Sequence, residues 1–341
     1  MNLPYIVPMS IPALHRSLLV FLLSGWTLAA TAFGQQGDVT HVHDPAIIKD
    51  KDSYYIFSTG HGVPIRSSKD LKNWKLSGRI FEEEAVPAWA AEMIPGTRFP
   101  WAPDVSYFNG RFHVYYSIST FGSQRSVIGL ATSPTLDPES PDYQWTDHGK
   151  VIDSDPDRDS FNAIDANLIL DTDGNPWLNW GSFHWRDTQP GGIMIIRLDL
   201  ETGMPKEGAE PIHIAGRPEQ RSIEAPFIIH ANGYYYQFVS FDHCCRGVNS
   251  TYRIMVGRSE SITGPYADQN EQPMTEGNAY EVLAGDGERV IGPGHNSVLK
   301  DGDQHYLVHH FYDAENEGIP TLQIRPMSWD DDGWPIADNP L

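Results

Sequence analysis

Cysteine is nearly absent from this chain, whose 341 residues include only Cys244 and Cys245. Because the two are neighbours, they cannot link distant segments, and the sequence excludes a fold held together by a disulfide framework. The pair itself has two possible states, a vicinal disulfide or two thiols. Two buried thiols are the simpler expectation, and both states stay open on the residues alone.

Basic residues are also scarce, since 24 Lys and Arg stand against 45 Asp and Glu and leave a net charge of -21. No basic run could follow a phosphate backbone, so the composition argues against a nucleic-acid partner. Helical periodicity is missing as well, because no stretch keeps an apolar period of about 3.6 residues over several turns. The exception is Pro87–Met93, where we expect a single helical turn inside a loop.

A long apolar run lies at the N-terminus, from Leu18 to Ala32, behind the basic Arg16. It ends in Ala30-Thr31-Ala32, an A-x-A cleavage pattern that is typical of secretory signal peptides. The run is too short to predict a membrane span. We therefore interpret residues 1–34 as a signal peptide that is removed, which predicts a secreted or periplasmic protein without a membrane partner.

A repeated pattern dominates the rest of the sequence: a polar residue, a short apolar run, a turn such as Asn-Gly or Asp-Gly, and an aromatic strand. It begins at residues 44, 104, 165, 224 and 295, at intervals of 60, 61, 59 and 71 residues. Further β-type runs follow, which gives about four strands per repeat. Five such units predict an all-β, five-bladed β-propeller over residues 38–341, with the first strands lining a channel. Two sequential β-sandwiches are the alternative.

The polar residues that open the repeats are Asp44, Asp104, Asp165 and Glu224, with His295 in the fifth. A propeller would bring them to one mouth of its channel, where carboxylates repel unless one holds a proton. A single aspartate is often a turn residue, but turns alone do not explain four acids in equivalent places. Paired carboxyl groups suit glycosidic bond cleavage, and placement on different blades favours the separation of about 6.5–9.5 Å that inversion requires.

His295 follows the glycine-rich run 292–294, which lets the backbone approach a neighbour closely. A histidine in such a place is as well explained by structure as by metal binding. The acidic run Asp153–Asp159 resembles a calcium loop, but Arg158 stands where an EF-hand needs glycine. We interpret that run as a solvated loop.

Several segments resemble the motifs of glycoside hydrolase family 43, and within it the arabinan-degrading branch. The motifs are His43-Asp44-Pro45, Trp101-Ala102-Pro103-Asp104, Ala163-Ile164-Asp165-Ala166, Ser222-Ile223-Glu224-Ala225-Pro226 and Gly292-Pro293-Gly294-His295-Asn296. The segments that resemble arabinanases in particular are Phe241–Gly247, Ser250-Thr251-Tyr252 and Val256–Ser259. The likeness extends from about His43 to the C-terminus and includes all the repeats.

The resemblance implies an inverting hydrolase of α-1,5-linked L-arabinofuranose chains, in which Asp44 is the general base and Glu224 the general acid. Asp165 would tune the pKa of that acid and orient it. Family members often hold calcium in the channel through water and a histidine, and His295 corresponds to that histidine. We expect the enzyme to be a monomer.

The resemblance also implies residues that bind the substrate. Trp101 and Phe121 fall where the family stacks arabinose. Asp104 would hold the cleft wall or a substrate hydroxyl, and Ser182, in the turn of the third repeat, is expected among the substrate contacts.

The turn of the third repeat continues into residues 184–190, a longer connection than is typical of endo-acting members. These residues could wall one end of the cleft or offer Trp185 as a further sugar platform, so endo and exo action both stay open. One alternative is an α-L-arabinofuranosidase or β-xylosidase of the same family. Many of those carry an additional β-sandwich, for which the residues after the fifth repeat leave no room. The other alternative, a non-catalytic sugar-binding propeller, would not need three acids.

Overall fold

The computed structural model describes residues 34–82, 86–185 and 191–341, together with Met1. The predicted signal peptide, residues 1–34, therefore lies almost wholly outside the described residues, as do residues 186–190 of the long third-repeat turn. Strands make up most of the regular structure in the described part. Within that part, no helix is both long enough and apolar enough to cross a membrane.

Five antiparallel sheets of four strands form the blades. Blade 1 consists of β2 (Ala46–Asp50), β3 (Ser53–Phe57), β4 (Pro64–Ser68) and β5 (Asn73–Arg79), with the short β1 (Gln36–Gly37) added parallel to β5. Blade 2 consists of β6 (Trp101–Phe108), β7 (Arg111–Ile118), β8 (Ser126–Ser133) and β9 (Thr146–Ser154). Blade 3 consists of β10 (Asn167–Leu170), β11 (Pro176–Trp180), β12 (Ile193–Arg197) and β13 (Ile212–Ala215). Blade 4 consists of β14 (Ile223–Ala231), β15 (Tyr234–Phe241), β16 (Arg253–Ser259) and β17 (Tyr280–Leu283). Blade 5 consists of β18 (Val290–Asp301), β19 (Gln304–Asp313), β20 (Ile319–Trp329) and β21 (Pro335–Ala337).

The first strands of the blades, β2, β6, β10, β14 and β18, contact one another in a closed ring. This arrangement confirms the five-bladed β-propeller that the repeats predict. The helical turn predicted at Pro87–Met93 is also confirmed, as α1 (Ala88–Met93). Short 3₁₀ helices occur at Gly247–Asn249, Met274–Glu276 and Ala314–Asn316.

Tight turns between first and second strands set the register of the blades. Asn109 and Gly110 join β6 to β7, and Asn232 and Gly233 join β14 to β15, with all four residues at positive φ. Asparagine and glycine adopt this conformation at little cost, and such two-residue turns match the right-handed twist of paired strands. The Asn-Gly pairs therefore start the second strand where the sequence predicts it.

Apolar side chains fill the seam between each pair of neighbouring blades. Between blades 1 and 2, for example, Phe57 and Ile65 belong to one buried cluster with Val114 and Ile118. Burying a side chain of this size contributes about 1.5–3 kcal/mol. Because these clusters lie between blades, each blade depends on its neighbours for its core.

The segment of residues 35–42 closes the ring between blade 5 and blade 1. Its first part, β1, pairs with β5 of blade 1, while Thr40 bridges Thr321 of β20 in blade 5. A backbone hydrogen bond from the N–H of Leu322 to the carbonyl of Val39 extends the contact with blade 5. This segment is therefore held by the last blade as well as by the first.

Candidate active site

In every blade one residue in the left-handed backbone conformation lies in the inner strand or directly before it, at the channel mouth. These residues have φ between +41° and +59°, and none is glycine: Asp44, Ala102, Asp165, Ala225 and His295. Residues with a β-carbon rarely adopt this conformation, at a cost of about 1–3 kcal/mol, unless the surroundings hold it. The recurrence of the same strained residue in every blade indicates a shared structural device.

The preceding blade supplies the contact that holds each of these residues. The backbone N–H groups donate from Asp44 to His310 Nδ1 (3.1 Å), from Ala102 to Thr59 Oγ1 (2.7 Å), from Asp165 to Ser117 Oγ (3.0 Å), from Ala225 to Asp165 Oδ2 (3.2 Å) and from His295 to Ser240 Oγ (2.8 Å). Three of the acceptors, Thr59, Ser117 and Ser240, lie within two residues of the end of the second strand of their blade. The blades are therefore joined at the mouth by the same kind of hydrogen bond.

These contacts correct the register that the sequence suggests. The positions equivalent to Asp44 are Ala102 in blade 2 and Ala225 in blade 4, so Asp104 lies two residues too late and Glu224 one too early. The expectation of an acid at four equivalent positions is therefore wrong. In β6 the cause is a bulge between Trp101 and Asp104, which shifts Asp104, whereas Glu224 lies before the bulge in β14 and keeps its pairing with β15.

Asp44 is buried and surrounded by hydrogen-bond donors. Thr59 Oγ1 donates to its Oδ2 at 2.5 Å, and its Oδ1 lies 2.7 Å from His43 Nδ1 and 3.0 Å from His295 Nδ1. Burial alone would raise the pKa of Asp44, but the charges and hydrogen bonds of His43 and His295 hold it well below its usual range. Asp44 is therefore an ionised carboxylate at neutral pH.

Glu224 is equally buried but has uncharged partners. Ser182 Oγ donates to its Oε2 at 2.7 Å, and the hydroxyl of Tyr252 donates to its Oε1. Burial, together with repulsion from Asp165, raises the pKa of Glu224 to about 8, against the hydrogen bond from Ser182. At neutral pH Glu224 therefore holds a proton that it can give away.

Asp165 lies between these two groups in the ring of inner strands. Its Oδ2 accepts a hydrogen bond from the N–H of Ala225, the residue after Glu224, which ties it to the strand that carries the acid. Burial raises the pKa of Asp165 to about 6, while the charge of His295 lowers it and that of Asp44 raises it. Asp165 is thus placed to influence both the position and the protonation of Glu224.

Asp104, the fourth predicted acid, has a different environment. Its Oδ2 accepts from the backbone N–H of Leu168 at 2.9 Å, and its Oδ1 accepts from Asn167 Nδ2 at 3.1 Å. Burial raises the pKa of Asp104 to about 6 against these hydrogen bonds. Both oxygens are used to join blade 2 to blade 3. These contacts favour the role in the cleft wall over the contact with a substrate hydroxyl.

The sequence profile of glycosyl hydrolases family 43 matches residues 39–335. The chain belongs to this family. The resemblance that the motifs predict is therefore confirmed, and with it the expectation of a glycosidase.

Relatives of family 43 match nearly the whole chain. An extracellular exo-α-(1→5)-L-arabinofuranosidase of Cellvibrio japonicus is 39% identical over 327 residues, which cover 93% of this chain and 92% of the relative. An extracellular endo-α-(1→5)-L-arabinanase of Bacillus subtilis is 41% identical over 300 residues, which cover 86% and 87%. The crystal structure of an exo-1,5-α-L-arabinanase from a bovine ruminal metagenomic library is similar with a TM-score of 0.82 and 45% identity, covering 89% of this chain and 99% of that one.

The residues predicted to bind substrate lie in three kinds of place. Phe121, in the turn after β7, is 84% exposed, so its ring is free to stack on a sugar. Trp101 is half-buried at the start of β6. Ser182 is buried, and its hydroxyl donates a hydrogen bond to Glu224. Trp185 donates from Nε1 to the carbonyl of Ser182, and the rest of its turn, residues 186–190, lies outside the described residues.

Several residues of this family 43 site were not predicted from the sequence. Thr59 and His310 hold the side chain and the backbone of Asp44, and Tyr252 contacts Glu224. One signal could have revealed part of this set, because in several repeats a hydroxyl residue lies within two residues of the end of the second strand, as Thr59, Ser117 and Ser240 do. Such residues often accept a backbone N–H from a neighbouring segment.

Cys244 and Cys245 form a vicinal disulfide in the loop between β15 and β16. Cys245 is exposed and Cys244 half-buried, so the expectation of two buried thiols is wrong. The Sγ of Cys245 lies 3.8 Å from Nε2 of His43, the residue that contacts Asp44. The disulfide therefore lies at the edge of the site, on the side of Asp44.

Ligand-type side chains converge twice in the described part of the chain, as His43 with the two cysteines and as His43 with Asp44 and His310. Cysteines in a disulfide offer no thiolate, and Nδ1 of His310 already accepts the N–H of Asp44. Neither group includes His295. These clusters therefore give no support to a metal held directly by protein side chains.

A cavity of about 460 Å³ opens elsewhere, beside blade 3. The residues that line it are Arg158, Asp159, Ser160, Phe161, Met194, Pro211 and His213. None of the four predicted acids is among them. The converging carboxyl groups with perturbed pKa values, and not this cavity, mark the candidate active site.

Proposed function

We propose that this protein is an inverting glycoside hydrolase that cleaves α-1,5-linked L-arabinofuranose chains. Its relatives carry the names of enzymes that act on such bonds, and the chain spans most of their length. The observation that carries the proposal is a pair of buried carboxyl groups at one channel mouth with opposite protonation. An ionised Asp44 and a protonated Glu224 are the base and the acid that inverting hydrolysis requires.

In the proposed reaction Glu224 gives its proton to the glycosidic oxygen as the bond to the leaving sugar breaks. Asp44 accepts a proton from a water molecule, which attacks the anomeric carbon from the opposite face. The donors around Asp44 keep it ionised before the reaction. Asp165 helps to keep Glu224 protonated through its negative charge, and it orients the strand beside Glu224 through the N–H of Ala225.

We further propose calcium near His295, held mostly through water. Calcium prefers six to eight oxygen ligands, and His295 has a single carboxylate, Asp44, in direct contact. Next to it, both polar side-chain atoms of Asn296 are buried without a protein partner, which ordered water would satisfy. Burial would lower the pKa of His295, but the charges of Asp44 and Asp165 raise it to about 9.

A protonated imidazole cannot bind a metal, so calcium and the second proton of His295 exclude each other. Calcium would therefore bind more tightly as the pH rises and would release a proton. Calorimetry in two buffers of different ionisation enthalpy should detect this proton release. His295→Ala should abolish the binding, and binding of equal strength in that variant would contradict the site.

Stacking of arabinose on Phe121 and Trp101 is the proposed basis of substrate binding, because flat rings pack on sugar faces. We also propose that the protein is secreted as a monomer. Two of the relatives named above, from Cellvibrio japonicus and Bacillus subtilis, are described as extracellular, and the N-terminal sequence has the pattern of a signal peptide.

Product analysis on linear arabinan, branched arabinan and xylan tests the function. A ladder of arabino-oligosaccharides indicates endo action, and a single short product indicates exo action. Proton NMR of the first products should show the inverted anomer. Release of xylose, or of single arabinose branches alone, would replace the proposal with the xylosidase or arabinofuranosidase alternative, and no release at all would favour a sugar-binding propeller.

A further inference from the structure

The loop between β15 and β16 contacts both sides of the candidate site. At its start the carboxylate of Asp242 pairs with Arg217 at 2.7 Å and with Arg253 at 2.8 Å. At its end Tyr252 donates to Glu224. The disulfide lies between these two points, and Cys245 reaches the neighbourhood of Asp44. One loop therefore extends from the proposed acid to the surroundings of the proposed base.

The disulfide closes a small ring that contains the peptide bond between Cys244 and Cys245. The N–H of Cys245 belongs to this ring, so the covalent closure fixes the direction in which it points. Cys245 also has a φ of +65°, in the left-handed region that residues with a β-carbon rarely adopt unless held there. Opening the ring would release both the backbone angle and the direction of the N–H.

A continuous chain of hydrogen bonds leads from this N–H to Asp44. The N–H of Cys245 donates to the hydroxyl oxygen of Tyr312 at 2.7 Å. That hydroxyl lies 2.8 Å from Nε2 of His43, and Nδ1 of His43 lies 2.7 Å from Oδ1 of Asp44. An ionised carboxylate only accepts, so Nδ1 of His43 donates to Asp44, and the hydroxyl of Tyr312 is the hydrogen-bond partner of Nε2.

The loop approaches His43 directly through Sγ of Cys245, at 3.8 Å from Nε2, and residues of blade 5 make further contacts with its ring. On one face its ring stacks on His310, with the centroids 4.0 Å apart. Tyr312, itself buried, fixes the Nε2 side. Because Tyr312 accepts from Cys245, the position of its hydroxyl depends on the ring that the disulfide closes.

We propose that Cys244 and Cys245 are positioning residues of the catalytic reaction. Their disulfide aims the N–H of Cys245 at Tyr312, and Tyr312 in turn fixes the orientation of His43 on Asp44. The inference rests on the proposed function, since it gives the disulfide a part in aligning the general base. In this view the disulfide is a permanent component of the site.

The test compares kcat and KM on arabino-oligosaccharides for the wild type, Cys244→Ser/Cys245→Ser, Tyr312→Phe and the triple variant. Loss of the ring or of the hydroxyl should lower kcat roughly tenfold and leave KM within about twofold, as expected for a lost positioning contact. Because both changes act on one chain of hydrogen bonds, the triple variant should be no slower than the slower parent. Dithiothreitol should lower kcat of the wild type reversibly and leave the double serine variant unchanged.

Tyr107→Phe is the matched control, because it removes a phenol hydroxyl from a half-exposed ring on β6 and should leave kcat unchanged. Thermal unfolding shows which variants fold, and if the serine variant does not, reduction of the folded wild type replaces it. The proposal is overturned if kcat survives opening of the ring. A raised KM at constant kcat also overturns it, since the disulfide would then contact the sugar. If the kcat losses of the two parent variants multiply in the triple variant, the disulfide and Tyr312 act independently, and this result also overturns the proposal.

Failure of the wild type to hydrolyse arabinan would refute the proposed function without testing this inference. Nitrogen NMR of the histidine rings needs no substrate and separates the two cases. The resonances of His43 are assigned by their loss in His43→Gln. The Nε2 resonance should move when the wild type is reduced and should not respond to reduction in Tyr312→Phe. An Nε2 resonance that is unchanged by reduction of the wild type overturns the inference.

Discussion

The two sides of the channel mouth treat a buried carboxyl group in opposite ways. Asp44 and Glu224 are each only 7% exposed, so burial opposes ionisation of both. Beside Asp44 the histidines of blades 1 and 5 outweigh burial and keep its pKa low. Beside Glu224 the hydroxyls of Ser182 and Tyr252 carry no charge, and Asp165 adds repulsion that keeps its pKa high.

The protonation of each carboxyl group is therefore set by the side chains around it, and neither by the residue type nor by the extent of burial. Each side draws those neighbours from more than one blade. Asp44 depends on Thr59 of blade 1 and His295 of blade 5, and Glu224 depends on the turn after β11 in blade 3 and on the residue before β16 in blade 4. Substitutions of the two carboxyl groups or of their neighbours can therefore test whether activity depends on the difference between the pKa values of Asp44 and Glu224.

Removing either carboxyl group should have the largest effect on activity. Glu224→Ala and Asp44→Ala should each lower kcat on arabinan at least about 1,000-fold, the usual scale for a lost general acid or base, with the fold intact. The two variants should differ on a nitrophenyl arabino-oligosaccharide, because nitrophenolate is a leaving group that departs without a proton from a general acid. Glu224→Ala should cleave that substrate and Asp44→Ala should not. Near-normal rates on arabinan in either folded variant would refute the assignment.

Asp165→Asn tests how far the charge of Asp165 raises the pKa of Glu224, because asparagine keeps the shape of the side chain and removes the charge. Burial and then repulsion from Asp165 raise the pKa of Glu224 to about 8, so kcat/KM of the wild type should fall as the pH rises through about 8. Without the repulsion this alkaline limb should move to lower pH, and the rate at neutral pH should drop about 10- to 100-fold. If the alkaline limb of the pH profile does not move in the variant, this limb reports the titration of a group other than Glu224.

Asp104→Ala tests whether the fourth acid belongs to either side. The change leaves the N–H of Leu168 and the amide of Asn167 without their partner, which should destabilise the protein by about 1–3 kcal/mol in urea unfolding. We expect kcat to stay nearly unchanged. Asp331→Ala, at an exposed position, is the control for loss of an acid. A collapse of kcat in folded Asp104→Ala would place this acid in the chemistry.

Glu224→Gln should have the smallest effect, on the pH dependence of stability. Between pH 4.5 and about 8 the folded protein keeps a proton that the unfolded chain has released, so this group contributes stability below pH 4.5 that is lost as the pH rises through about 8. The glutamine variant should flatten the unfolding temperature across this window by a few degrees. Glu139→Gln, at an exposed position, should not, and equal slopes in both variants would mean that Glu224 titrates normally.

Much of this propeller could be predicted from the sequence because its signals are local. Asn-Gly turns such as Asn232-Gly233 start the second strands, and the regular spacing of the repeats predicts the ring that gathers Asp44, Asp165, Glu224 and His295. The register of Asp104 could not be predicted, because a bulge leaves no mark in the spacing of residue types.

The partners of the carboxyl groups also escaped prediction, for a different reason. Thr59, Tyr252 and His310 are common residue types, and they meet the acids only after separate blades have packed together. The state of Cys244 and Cys245 depends likewise on the backbone of their loop. Local patterns predict strands and turns, whereas contacts between distant segments arise from packing.

Closure of the ring by residues 35–42 also sets the order in which the proposed base is assembled. Ribosomal synthesis delivers Asp44 early, but His295 and His310 belong to the blade that is made last. Until that blade docks on Thr40 and the first sheet, Asp44 lacks two of its contacts. A chain in which blade 5 has not yet docked therefore carries Asp44 without His295, whose charge helps to hold the pKa of Asp44 low, and the proposed base is complete only when that blade packs against the first.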